Sequence, residues 1–220
     1  MKIKCISASN TKRMGDKSAS TNVCQMIKNN ISVIHNGIAE VDILPLMDYD
    51  LKPCILCGDC SASGHCPYDD AFNKVFDQIV DADGLFFVIP HYSPIPSKLL
   101  ILFEKINEIL YAKWIHDPEY ISPLNGKPVG IVGHGGMVES EAVLKYYHEH
   151  LVTPVANTLK SLSFKPIPCD DQFPNGAVFG LKDDACLYKV EGKLFPDIRQ
   201  DWMSIDARIK PLIENFIKEI

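Results

Sequence analysis

GLFFVIP (residues 84–90) is a near-continuous apolar run that ends at proline. A run of this kind suits a central strand of a parallel sheet, because helices cover both of its faces and leave no polar alternation. Working outward, KIKCISA (2–8) reads as a short buried first strand, and VCQMIKNNISVI places Val23, Met26, Ile27, Ile31 and Ile34 at helical spacing. IAEVDILPL reads as a second strand. DDAFNKVFDQIVDAD carries Phe72, Val75, Phe76 and Ile79 on one helical face. Beyond the run, SKLLILFEKINEIL reads as a helix and GKPVGIVGHGG as a strand entering glycines. ESEAVLKYYHEHLVTPVANTLKSL reads as a helix kinked or broken near Pro154. SFKPIP is a candidate fifth strand and WMSIDARIKPLIENFIKEI a last helix.

Strand and helix alternate throughout, which predicts an α/β protein with helices on both faces of a parallel sheet. Five strands suit a flavodoxin-like three-layer sandwich of order 2-1-3-4-5, with ligand at the carboxyl ends of the strands. The 220 residues are read as one domain. Such a fold needs roughly 140 to 180 residues, and the surplus falls in a cysteine-rich loop (48–67) and a variable insertion at about 169–199. The insertion is expected to form a small hairpin or a lid.

The formal charge of −6, with no basic block, argues against nucleic acid as a partner. No stretch approaches the ~18 apolar residues of a membrane span, and MKIKCISAS has too short an apolar run for a signal peptide. The expectation is a cytoplasmic protein with reduced thiols. Eight cysteines in that setting point to metal or redox chemistry.

In this topology the loops after strands 1, 3 and 4 converge. The first, rich in hydroxyls and amides, leads into a helix N-terminus and suits a phosphate monoester. No G-x-G-x-x-G and no Walker A lysine motif is present. After strand 3, PHYSPIPSKLL offers Tyr92 and the backbone of 92–95 to a flat ring, with Ser97 as the expected cap of the next helix. After strand 4, GHGG (133–136) lets backbone approach a ligand closely, or is a plain strand-to-helix turn. Tyr146 and Tyr147 read as packing or interface residues.

CILCGDCSASGHC (54–66) places Cys54, Cys57, Cys60 and Cys66 at C-x2-C-x2-C-x5-C, with Pro67 following. Ferredoxin-like runs have a similar compact triplet and a cysteine before proline. The two-knuckle spacing of a zinc ribbon is absent. A thioredoxin-type dithiol would leave two cysteines unexplained. Unligated thiols remain an alternative, and composition leaves [2Fe–2S] open beside [4Fe–4S]. Cys5 and Cys24 read as small core residues, and Cys169 and Cys186 fall in the unassigned insertion.

Taken in order, SASNTKR…SASTN, LMDYDLKPCILCGDCSASGHCPYDDAF, DADGLFFVIPHYSPIPSKLLILFEKI and GKPVGIVGHGG resemble the iron–sulfur flavoproteins, a branch of the NADPH-dependent FMN reductase group. The resemblance spans roughly residues 2 to 136. It implies FMN, with phosphate near Ser9, Ser20, Thr21 and Asn22. It implies the isoalloxazine against Pro90, Tyr92, Ser93 and Ile95 and against Gly133, His134, Gly135 and Gly136. Relatives carry a Ser-Pro-Arg turn after strand 1, where this chain has Ser9-Asn10-Thr11-Lys12. Lys12 or Arg13 is expected to supply the positive charge. The resemblance also implies a [4Fe–4S] cluster on Cys54, Cys57, Cys60 and Cys66, and a homodimer or homotetramer. The expected function is FMN- and cluster-dependent electron transfer, from ferredoxin or NAD(P)H to a small-molecule acceptor, with no side-chain acid, base or nucleophile. The alternatives are a cluster-less NAD(P)H-dependent FMN or quinone reductase and a non-enzymatic flavodoxin-type carrier.

Overall fold

The apolar run at 84–90 forms β3 (Gly84–Pro90), and all of its residues are buried. It runs parallel between β1 (Lys2–Ser7) and β4 (Pro128–Val138), and β2 (Glu40–Pro45) flanks β1. With β5 (Lys165–Pro166) the sheet order is β2-β1-β3-β4-β5, the flavodoxin-like order that the alternation of elements predicts. The computed structural model describes residues 1–220 except 12–17, 36, 193 and 195.

Neighbouring residues of β3 point to opposite faces, and two of them mark the helical layers. The Phe86 ring centroid lies 4.2 Å from that of Phe216 on α7 (Trp202–Glu219). The Phe87 ring lies 5.6 Å from Phe103 on α4 (Ser97–His116). Gly130 faces Phe86 across the β3–β4 register, and a Cβ there would stand 2.4 Å from the Phe86 ring. The small residue in β4 is therefore what lets the large one lie flat on the sheet. α1 (Ala19–Ile34) shares the face of α7, joined to it by the Asn30 amide donating to Asp206 (2.7 Å).

After β2 a single 3₁₀ turn (Leu46–Asp48) leads into the cysteine loop, which holds the short α2 (Cys60–Ser63). α3 (Asp70–Asp81) follows, its N-cap Asp69 accepting the Phe72 N–H at 3.0 Å. The helix after β4 is not broken at Pro154. It runs as α5 (Glu141–Tyr147), a π-helical turn (His148–Val152) and α6 (Thr153–Ser161). Proline lacks an N–H and crowds the carbonyl one turn back; the wider turn lies where the hydrogen-bond ladder must pass it.

The stretch 169–199 differs from a simple insertion. Within it, β6 (Ala177–Leu181) is wholly buried and pairs in parallel with β4 through Val132↔Ala177, Gly133↔Val178 and His134↔Phe179. Two short strands thus share the fifth position of the sheet. Only β7 (Leu187–Tyr188) and β8 (Asp197–Ile198) form a separate antiparallel pair, the small hairpin of the expectation. No helix among the described residues is long and apolar enough to cross a membrane.

Candidate functional site

Hydrogen bonds tie the tips of β1, β3 and β4 together. The Tyr92 hydroxyl reaches back from the β3 loop to Ser9 Oγ (3.2 Å) and Thr11 Oγ1 (3.3 Å). The Asn10 amide donates to Ser97 Oγ at 3.4 Å. Ser97 is the first residue of α4, whose N-cap position is held by Pro96, so the expected Ser97 cap does not form. The His91 N–H donates to the His134 carbonyl (2.6 Å), and Ser20 Oγ pairs with His134 Nε2 (2.8 Å). Ser9, Ser20, Tyr92 and His134 are thereby joined. Pro90 pairs with His134 in the sheet, Ser93 is exposed, and Ile95 is half-buried against the core.

The first turn of α1 is rigid. Thr21 Oγ1 pairs with Ser7 Oγ at 3.0 Å, and the Asn22 amide donates to the Ser18 carbonyl at 3.1 Å. Among the described residues no side chain caps this helix, and its first turn carries no carboxylate. The first N–H groups of a helix have no intrahelical partner and, with the helix dipole, favour an anion. The Thr21 hydroxyl and the Asn22 amide each have a partner within the protein. Lys12 and Arg13 lie outside the described residues.

The glycine run corrects the sequence reading. GHGG is no strand-to-helix turn; β4 continues through it to Val138 because β6 supplies partners beyond β5. A Cβ on Gly135 would stand 2.1 Å from the Tyr147 hydroxyl, and one on Gly133 2.6 Å from Val152, so both admit the helix behind them. At Gly136 an added Cβ meets nothing within 4 Å, so this is the glycine that faces open space. The His134 ring is buried and lies parallel to Phe179 at 5.0 Å. Burial lowers its pKa to about 4, so it is neutral near pH 7. Its Nε2 meets Ser20 Oγ at the strand tips.

The cysteine loop is anchored at both ends. Lys98 Nζ donates to the carbonyls of Leu46, Met47 and Tyr49. Asp69 accepts from the Lys52 N–H (2.8 Å) and from buried Lys105 Nζ (2.5 Å). Asn73 receives the Cys66 N–H and donates to the Cys66 carbonyl, both at 2.8 Å. Burial would raise the Asp69 pKa, but the Lys105 ammonium and the two N–H donors outweigh it and hold the carboxyl below its ordinary value. Lys105 Nζ also lies 3.8 Å from Cys66 Sγ.

Cys54, Cys57, Cys60 and Cys66 all line one cavity of about 310 Å³, walled by Tyr68, Tyr111 and Ile115. Burial raises the Cys60 thiol above its ordinary range; a backbone hydrogen bond opposes it in part, and the neighbouring Cys54, Cys57 and Cys66 add to it. Four thiols on one cavity fit an iron–sulfur group in donor chemistry. In their described positions, however, no three metal-ligating side chains among the described residues are gathered to hold a metal ion. Cys5, Cys24, Cys169 and Cys186 are buried and free, Cys5 and Cys24 as core residues.

The family model described as NADPH-dependent FMN reductase matches residues 1–165. The chain belongs to that family. It is 25% identical over 85 residues to an iron–sulfur flavoprotein of Methanocaldococcus jannaschii, covering 38% of this chain and 44% of that protein. It is 28% identical over 67 residues to the iron–sulfur flavoprotein of Methanosarcina thermophila, covering 30% and 35% respectively. The chain thus spans less than half the length of the curated relatives it matches. An FMN-dependent NADH-azoreductase from Bacillus anthracis, solved in complex with FMN, superposes with a TM-score of 0.56 at 14% identity, covering 99% of each chain; this is a likeness of fold.

For this FMN reductase family member the strand tips fit a flavin mononucleotide. Among the described residues no side chain caps the first turn of α1, and the Cβ position of Gly136 meets open space. Sequence reasoning missed His91 and the role of α5. A second cavity of about 490 Å³ opens between them, lined by His91, Gly136, Met137, Val143, Tyr146 and Tyr147. The aromatic pair Tyr146-Tyr147 was a visible signal, but the position of His91 opposite it depends on the fold.

Proposed function

We propose that the chain binds FMN at the tips of β1, β3 and β4 and passes electrons from NAD(P)H to a small-molecule acceptor, as a cluster-less FMN or quinone reductase. The observation that carries this is the hydrogen-bonded junction of Ser9 with Tyr92 and of Ser20 with His134, beside a helix whose first turn carries no carboxylate. When bound, the flavin supplies the hydride and electron chemistry, and the protein supplies position and electrostatics. The α1 N–H groups hold the phosphate. Tyr92 orients the first loop over it, and neutral His134 fixes Ser20. Ala19→Asp places a negative charge in the α1 first turn and is expected to weaken FMN binding about 10-fold, as about 1.4 kcal/mol of repulsion would. Flavin fluorescence titration reads this; unchanged affinity would place the phosphate elsewhere.

A second reading, the iron–sulfur branch, is favoured by one observation: all four thiols of the compact motif face the same cavity. In that reading Cys54, Cys57, Cys60 and Cys66 hold a [4Fe–4S] cluster, ferredoxin is a candidate donor, and a homodimer or homotetramer is expected. The names of the two curated relatives support it. Anaerobic purification with iron, sulfide and flavin analysis separates the readings. About four irons per chain, lost on Cys57→Ser, favours the cluster; flavin without iron favours the simple reductase.

A further inference from the structure

We infer that His148 latches the loop between β5 and β6 onto the π-helical turn while its ring is uncharged, and that the loop is released when the ring takes up a proton. This goes beyond the flavin reading and does not depend on it.

The loop (167–176) is closed on Phe173. The Phe173 N–H donates to Asp170 Oδ1 (2.8 Å), and its carbonyl accepts the N–H groups of Cys169 (3.1 Å) and Gly176 (3.3 Å). The start of the loop is fixed to α7, where the Asn215 amide donates to the Pro168 carbonyl (3.2 Å) and the Cys169 carbonyl (3.1 Å). Its far end reaches the helical run that follows β4. Asn175 Nδ2 donates to Oγ1 of Thr153 (3.2 Å), the first residue after the π-helical turn. The Phe173 ring is buried and lies 5.4 Å from the imidazole of His148, the first residue of that turn. His148 thus packs on the residue about which the loop closes.

His148 is buried, and its Nε2 has no hydrogen-bond partner among the described residues. A neutral imidazole tolerates such a place better than an imidazolium, which carries a donor on both nitrogens and a charge to be solvated. Burial lowers the His148 pKa, outweighing the carboxylates of Glu149 on its own turn and Asp170 on the loop, which favour the charged form. Glu149 is shared with Lys145 of α5 at 3.8 Å. Lys160, the charged residue of α6, donates to Asn175 Oδ1 at 3.4 Å. Burial pushes the Cys169 thiol up to about 11, so the neighbour of Asp170 is uncharged. β6 carries no titratable group, and β4 carries only His134, itself neutral near pH 7. The sign follows. A released ring titrates near the ordinary value of about 6.5, and the packed ring holds its proton less well, so opening takes up a proton. The latch is closed above pH ~6.5 and loosens as pH falls below it toward the lowered packed value. His148 follows Tyr147, whose hydroxyl accepts the Met137 N–H at 3.0 Å, so the turn under the latch also leads to the end of β4.

The test is hydrogen exchange of the intact chain, read by mass spectrometry on peptides covering 169–176 and corrected for the intrinsic pH dependence of exchange. Between pH ~7.5 and pH ~5, wild-type protection in this loop is expected to fall at least ~3-fold, under a ceiling of about 30-fold set by the distance of pH 5 from the ordinary 6.5. His148→Phe keeps an aromatic ring against Phe173 and takes up no proton, so its protection should be the same at both pH values. His148→Gln, polar and uncharged, makes the same comparison where the phenylalanine variant does not fold. His134→Gln separates the other buried histidine, and the loop should keep its pH dependence there. Wild-type protection that ignores pH, a pH dependence that survives in the His148 variants, or one that disappears in His134→Gln each overturns the latch.

Discussion

Lys105→Met tests how the cysteine loop is held. Lys105 and Asp69 are buried, their side chains 4% and 1% exposed, and their charged atoms are 2.5 Å apart. Methionine keeps most of the stem packing and removes the ammonium, leaving a buried carboxylate supported only by the Lys52 and Phe72 N–H groups. Breaking one side of a buried ion pair costs about 3–5 kcal/mol. With a urea dependence of roughly 2–3 kcal/mol/M, the unfolding midpoint should fall by about 1–2 M. The sign with pH follows from Asp69, whose pKa is lowered in the folded chain. Its contribution is fully present above the ordinary carboxylate value of about 4 and is lost as pH falls through the lowered folded value. The deficit of Lys105→Met against wild type should therefore be largest at pH 7 and narrow as pH falls below ~4 through the lowered folded value, where the wild-type carboxyl takes up its proton. Urea titrations of both proteins between pH 7 and pH 3 measure it. A deficit below about 1 kcal/mol at pH 7, or one constant across that range, would refute the pairing.

His134 gives a second pH test. Its folded pKa of about 4 lies below the ordinary 6.5, so the unfolded chain binds the proton first and stability falls as pH drops from 6.5 to 4. That slope, worth about 3 kcal/mol, should vanish in His134→Gln when thermal unfolding is followed across pH. Gly135→Ala should destabilise by roughly 1–3 kcal/mol through the clash with the Tyr147 hydroxyl, whereas Gly136→Ala should change the melting temperature little, because its Cβ meets open space. Phe86→Ala should lose about 3–5 kcal/mol. Adding Gly130→Ala, which clashes with the Phe86 ring in the wild type, should then be tolerated, and a double-mutant cycle by urea unfolding reads that coupling.

The sheet was legible where local pattern and burial agree. The 84–90 run ends at Pro90 in the sequence and in the fold alike, because every residue of β3 is covered. β6 escaped notice because AVFGL is five residues long, carries Gly180 and gains its burial only by pairing with β4. The same long-range pairing keeps 133–136 in a strand, which no local glycine pattern reveals. At the site, strand order alone predicts that the tips of β1, β3 and β4 meet. It does not predict that Thr21 turns inward to Ser7, or that His134 stacks on Phe179, since both partners come from distant segments. Ser97 matched the composition of a cap, yet Pro96 already holds that position.

The anchoring of the cysteine loop has a consequence for modularity. Its two feet are gripped by Lys98, Asp69, Asn73 and Lys105, all of which lie outside residues 54–66. The span between the feet is tied to the helices as well, by Lys113 Nζ donating to the Ala62 carbonyl (2.8 Å), His65 paired with Asp77 (2.7 Å) and the Cys54 N–H donating to Glu104 (3.3 Å). Grafting this segment onto another sheet of the same order therefore means transplanting its supports along with the thiols.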